Sequence, residues 1–248
     1  MADNLTLYDL GRRGPENTCW SYNVWKTRIA LNYKDIPYTT HWVNHLTLGP
    51  TVKALGVKEN PPASAGPPVS PYTVPIIELS DGTAVMDSAA IASKLEELHP
   101  TPSLHLDAQL EAEVDSVVRA AALPLVPVYM PCIAKHVIDP STVSKFKAGP
   151  EKRFGVSLDE LERTKGGEVA WEAVKPAASN LVELLKRHKK DDGPFLRGSQ
   201  VSYADFLIVA FFEAARGIDP AIFERLVKMN PAFEELYAAS EKWLQKNT

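Results

Sequence analysis

The hydrophobic period of this chain changes once, at His99-Pro100-Thr101-Pro102. Before it, segments of period two alternate with segments of period near 3.6; after it only the helical period recurs. Two prolines in four residues cannot continue a helix, so the segment reads as a linker. The expected fold is therefore α/β plus all-α: a small mixed domain over 1–99, then an all-helical domain over 104–248. With 248 residues, 45% of them hydrophobic, the chain can fill both cores.

In the first part, Leu5-Thr6-Leu7-Tyr8-Asp9-Leu10 alternates as a strand does, and Gly11 to Pro15 is a turn. Residues 22–33 read as a helix, with Trp25 and Ile29 four apart and Val24 and Leu31 seven apart. Ile36-Pro37 breaks it, and the β-formers of Tyr38 to Val43 predict a second strand. The stretch 46–56 is ambiguous between helix and loop, and 60–68, with four prolines, is a loop. A strand over Tyr72–Leu79, a hairpin turn at Ser80-Asp81-Gly82-Thr83 and a return strand at Ala84–Met86 follow. Asp87-Ser88 then opens a helix to about Leu98. This order, a β-α-β unit and then a β-β-α unit, is the thioredoxin-like layout.

Beyond the linker, a helical signal runs from Ala108 to about His136, with a bend or break expected at Pro124, Pro127 and Pro131. Residues 139–157 look irregular. Helices are expected over 158–163, 169–190 and 203–216. Asn230-Pro231, an N-cap residue before a proline, opens a last one running to Gln245. Val201 to Phe206 carries a capping box, with Asp205 at its third helical position and Val201 and Phe206 placed as a hydrophobic staple.

The net charge of −4 gives no basic excess for nucleic acid. No apolar run approaches the roughly 18 residues of a membrane span. The N-terminus lacks the basic and apolar regions of a signal peptide. Two cysteines build no disulfide framework, so a reducing, cytoplasmic setting is expected.

Four short motifs carry chemistry. Proline within a strand gives nothing to the ladder, so Val74-Pro75 is either an edge proline or a cis proline exposing the Val74 backbone to a ligand. Asp87-Ser88 at a helix start is a plain N-cap, or a site where free N–H groups and the dipole hold a carboxylate while the Asp meets an ammonium. Ser21 stands just before the first helix, where its hydroxyl can steady a thiolate. Cys19, two residues earlier, offers thiol exchange instead, with packing as its ordinary reading.

In this order the motifs resemble the cytosolic glutathione transferases, over nearly the whole chain. The run Trp20-Ser21-Tyr22-Asn23-Val24-Trp25-Lys26-Thr27-Arg28-Ile29-Ala30-Leu31-Asn32 is similar to the branch related to the lignin β-etherases, and to its fungal Fu-A type above all. One departure is Tyr22, where many relatives carry proline; it bears on where the Ser21 hydroxyl points. The resemblance implies a homodimer that uses glutathione as co-substrate and no metal. Thr73 and Val74 would lie along the cysteinyl part, Val74 pairing through its backbone, with Pro75 cis. Asp87 and Ser88 would take the γ-glutamyl end. Lys53 and His41 are both candidates for the glycyl carboxylate. Ser21 would be the catalytic residue, with Asn23 as possible support. Trp20 and Tyr129 would line the site for hydrophobic aromatic or polyphenolic ligands. Two other readings stay open: a non-catalytic binder of wood-derived aromatics, and a cysteine-type thiol transferase using Cys19. Cleavage of β-aryl ethers is a narrower third. Cys132, between Pro131 and Ile133, is read as packing.

Overall fold

A computed structural model describes residues 5–61 and 70–247; most of the loop expected over 60–68 lies outside the described residues. Strands β1 (Leu5–Leu10), β2 (Tyr38–Val43), β3 (Ile76–Glu78) and β4 (Ala84–Met86) form one sheet in the order β2-β1-β3-β4. β1 runs parallel to β2 and antiparallel to β3, with Leu7 opposite Thr40 and Ile77. Helix α1 (Tyr22–Tyr33) connects the parallel pair, α2 (Leu48–Ala54) resolves the ambiguous stretch as a helix, and α3 (Ser88–Leu98) follows the hairpin. This is the expected thioredoxin-like layout. One strand is shorter than expected: Tyr72 to Pro75 lie outside β3, the Val74–Pro75 bond is cis, and Pro75 has no N–H for a ladder.

The rest is helical: α4 (Ala108–Ala122), α5 (Val126–Cys132), α6 (Val143–Phe154), α7 (Leu158–Lys165), α8 (Gly167–Arg187), α9 (Tyr203–Ile218), α10 (Pro220–Val227) and α11 (Pro231–Ser240). The three prolines split the first long signal: a 3-10 turn at Leu123–Leu125 separates α4 from α5, and a wider π-type turn at Ile133–Val137 follows. Together Ala108–Val137 spans 30 residues and contains a stretch of mean hydropathy 1.7, long and apolar enough to cross a membrane, contrary to the sequence expectation. Here its apolar side packs on α8 and α9.

Three further expectations are corrected. Residues 139–157 are mostly helix: the Asp139 carboxylate caps a 3-10 turn by accepting from Ser141 N–H, α6 follows, and Gly155 at φ 72° ends it. Pro150 inside α6 disguised the pattern. α10 was overlooked, although Asp219-Pro220 repeats the Asn230-Pro231 signature and Asp219 accepts from Ala221 N–H. The last helix stops at Ser240, before a 3-10 turn at Glu241–Trp243.

Helix α9 joins the two parts. It is buried from Tyr203 to Ala215 and packs on α1, α4 and α10. Its start is the expected capping box: the Ser202 N–H and hydroxyl both donate to Asp205 Oδ2 at 2.8 Å, and Leu196 N–H donates to Oδ1 at 2.6 Å. Burial nevertheless pushes the Asp205 carboxyl up to about 6, because desolvation of the charge outweighs those donors. Under the sheet, Arg28 donates to Asp9 Oδ2 at 3.0 and 3.2 Å, both side chains fully buried.

Candidate active site

The loop before α1 is held from several sides. Arg12 donates to Thr18 Oγ1 at 3.0 Å, Arg13 N–H donates to the Val137 carbonyl at 2.7 Å, and Cys19 N–H donates to the Asn247 carbonyl at 3.1 Å. The C-terminal segment is tied to the same region through Asn32, whose side-chain amide donates to the Trp243 and Lys246 carbonyls. Gly217 of α9 supports the loop from below: a Cβ there would lie 2.7 Å from the Cys19 carbonyl oxygen and 3.0 Å from the Trp20 Cα.

Ser21 is the N-cap of α1, at φ −84° and ψ 121°. Its carbonyl accepts from Trp25 N–H at 3.0 Å, while its hydroxyl makes no capping bond. Among the described residues the hydroxyl thus stands uncommitted, beside the first-turn N–H groups and positive dipole end of α1. Tyr22 follows as the first helical residue. Its ring meets Phe211 edge-on at 6.4 Å, and Lys26 Nζ lies 4.0 Å from its centroid.

Cys19 faces the other way. It is 2% exposed, and its sulfur lies 3.8 Å from the Ser21 carbonyl and next to Asp9. Burial, then the Asp9 charge, push its thiol well up, so the thiolate is disfavoured. Cys132 is half-buried in α5, with its sulfur 3.9 Å from the Ile218 carbonyl.

Two backbone features stand just before β3 and at the start of α3. Thr73 N–H reaches the Met86 sulfur at 3.4 Å, and its hydroxyl accepts from the Asn60 amide at 3.4 Å. Neither the Val74 N–H nor its carbonyl is hydrogen-bonded among the described residues, leaving a short free edge ahead of the cis Pro75. At the start of α3, Asp87 adopts φ 87°, a costly conformation for a residue with a side chain. Its Oδ1 accepts from Ala89 and Ala90 N–H at 3.0 and 3.1 Å. Ser88 is buried, and its carbonyl accepts from the Tyr203 hydroxyl of α9 at 3.0 Å.

Next to Ser21 opens a cleft of about 440 Å³ between α1, α4, α5 and α9. Trp20 and Tyr129 both line it, as the sequence suggested, with Leu125, Ile133 and Phe211 as apolar wall. Burial pushes the Tyr129 phenol up to about 12, keeping it a neutral donor. Asn23 lines the cleft too, exposed in the first turn of α1. Lys53 is exposed in the last turn of α2, and His41 stacks on Tyr8 at 4.9 Å on β2; neither lines this cleft. The sequence reading missed Tyr22, Arg119 and Arg153 as lining residues. Arg153 belongs to α6, and its one sequence signal was the helix stop at Gly155. His45 was also missed; its ring packs between Trp20 at 6.4 Å and Phe146 of α6 at 5.3 Å, and burial lowers its basicity.

Comparison with known families places this arrangement. The model for the glutathione S-transferase N-terminal domain matches residues 20–98, and that for the C-terminal domain matches 108–243. The chain belongs to the glutathione S-transferase family. A glutathione S-transferase-like protein of Aspergillus flavus, ustS, is 31% identical over 241 residues, covering 91% of this chain and 85% of that protein. Among solved structures, the glutathione S-transferase CsGST63524 of Ceriporiopsis subvermispora, in complex with glutathione, superposes with a TM-score of 0.82 at 27% identity over 97% of both chains. GSTFuA2 of Phanerochaete chrysosporium superposes with a TM-score of 0.85 at 26% identity over 99% of both. Of the residues singled out in the sequence, Ser21, Trp20, Asn23 and Tyr129 line this cleft, and Thr73, Val74, Pro75, Asp87 and Ser88 do not.

Proposed function

We propose that this transferase activates the glutathione thiol with Ser21 and passes it to aromatic electrophiles or peroxides held in the adjoining cleft. The observation that carries this reading is the contrast between two neighbours. The Ser21 hydroxyl is uncommitted at a helix N-terminus and lines the cleft, whereas the Cys19 thiol is buried against Asp9. Glutathione bound to CsGST63524 supports glutathione as the co-substrate. The free Val74 backbone suits antiparallel pairing with its cysteinyl residue, past Thr73 and the cis Pro75. Asp87 and Ser88 suit the γ-glutamyl end, Asp87 facing the ammonium and the α3 N-terminus its carboxylate. The glycyl carboxylate is left to Lys53 or His41. A hydroxyl donor and a helix dipole each favour the thiolate, and each unit by which they lower its pKa is worth about 1.4 kcal/mol. With an aromatic electrophile the thiolate attacks carbon, a carbon–sulfur bond forms, and the leaving group departs with its electron pair; with a peroxide it attacks oxygen, releasing an alcohol and a glutathione sulfenic acid that a second glutathione converts to the disulfide and water. The likeness to GSTFuA2 and the Trp20 to Asn32 run support the Fu-A type.

Ser21→Ala and Cys19→Ala separate the readings. Titration of the bound thiolate by its ultraviolet absorbance, with turnover of chlorodinitrobenzene, is the measurement. Ser21→Ala is expected to raise the pKa of bound glutathione by about one unit or more and to cut kcat about tenfold or more. Cys19→Ala keeps both. The reverse result overturns the serine assignment in favour of a thiol transferase. Tight binding of polyphenols by a wild type that turns over neither electrophile nor peroxide overturns catalysis in favour of a binding protein.

A further inference from the structure

The cleft beside Ser21 is apolar but not electrically neutral. Two further recesses of about 350 and 690 Å³ adjoin it, and all three share Tyr129 and Arg153. The chain as a whole carries 31 acidic and 27 basic residues. Yet among the described residues no Asp or Glu lines any of the three, while Arg119, Lys152 and Arg153 do. Arg119 is already satisfied by its ion pair with Asp115. Arg153 is exposed and makes no hydrogen bond or ion pair among the described residues; its guanidinium lies 5.5 Å from the ring of Phe154 and acts on the Tyr129 phenol.

An exposed guanidinium beside an apolar wall without carboxylates gives that wall a positive field, which salt screens. A neutral hydrocarbon acceptor would make no use of it. We propose that the acceptor of this transferase is an aromatic compound bearing an oxyanion, such as a carboxylate, with Arg153 as the specificity-determining residue. The ring lies on the apolar wall between Trp20 and Phe211. The anion takes the planar fork of Arg153, whose two parallel N–H groups match a carboxylate bidentately. This rests on the reading of the cleft as the acceptor site, but not on Ser21 as the catalytic group.

The test is calorimetric titration of a chloronitrobenzoate and the matching chloronitrobenzamide, with S-methylglutathione present so that no sulfur transfer occurs. The two differ in charge at nearly constant shape. Wild type is expected to bind the carboxylate about tenfold more tightly than the amide at low salt, the ratio shrinking as salt rises. Arg153→Gln brings that ratio close to one, and Arg153→Lys retains part of it. Equal affinities in the wild type, or an unchanged ratio in Arg153→Gln, overturn the proposal. So does a loss of S-methylglutathione affinity in Arg153→Gln at an unchanged ratio, which would assign the cation to glutathione. If Ser21→Ala leaves turnover unchanged while the ratio behaves as expected, the serine mechanism falls and the anion selectivity stands. If neither aromatic binds a wild type that is active on neutral electrophiles, the reverse holds.

Discussion

Gly217 and Cys19 approach so closely that a methyl group on the glycine would sit 2.7 Å from the cysteine carbonyl oxygen. A helix of the second half thereby sets the height of the loop that carries Ser21, nearly 200 residues earlier in the chain. The space is missing because backbone, not a flexible side chain, stands on the other side.

Gly217→Ala tests this dependence. Alanine is the better helix former by up to about 1 kcal/mol, which favours the variant. The clash costs about 1–3 kcal/mol and lifts the loop. The expected outcome is a modest net loss of stability in urea with a larger loss of kcat/KM. A variant as active as the wild type would mean that the loop moves freely without moving Ser21.

Tyr203→Phe probes the other link between the halves. It removes the hydroxyl donated to the Ser88 carbonyl, which as part of α3 still accepts from the helix backbone. The expected cost is about 0.5–1.5 kcal/mol of stability. Because the same carbonyl belongs to the start of α3, KM for glutathione should rise several-fold while the thiol pKa of bound glutathione stays put. An unchanged KM would separate the α3 terminus from glutathione binding.

The Asp205 carboxyl gives a pH signature. Its folded value, about 6, lies above the roughly 3.9 of an unfolded aspartate. The native state therefore holds the extra proton between about pH 4 and 6, and its stability falls as pH rises through that window and levels off above it. Asp205→Asn cannot ionise, and it also gives up one of the two acceptor oxygens of the capping box. The advantage of wild type over this variant, from urea denaturation at several pH values, should thus shrink from pH 4 to 6. An advantage that grows instead would show that the donors from Leu196 and Ser202 outweigh desolvation.

Local chemistry made much of this molecule legible. Asp87-Ser88 read as a helix start, and Asp87 does cap α3. The capping box at Ser202 and Asp205 forms as its spacing predicts. The three prolines break the long helix where expected, since each lacks an N–H. Helices α6 and α10 escaped notice for opposite reasons. Pro150 hid α6 by sitting inside it, whereas the Asp219-Pro220 start of α10 was plain but lay close behind α9. Missing α6 also removed Arg153 from view.

What the sequence determined by itself is whatever depends on neighbours along the chain: element order, caps and the break at the linker. These are interactions over a few residues, and side-chain chemistry specifies them. Only the tertiary structure decided that Cys19 turns inward against Asp9 while Ser21 faces the cleft, for that depends on the burial of the Asp9–Arg28 pair. Only it gathered Trp20, Tyr129 and Arg153, from α6 and two other distant segments, around one space free of carboxylates. Desolvation and the balance of charge across a cleft are properties of packing, and no stretch of sequence carries them alone.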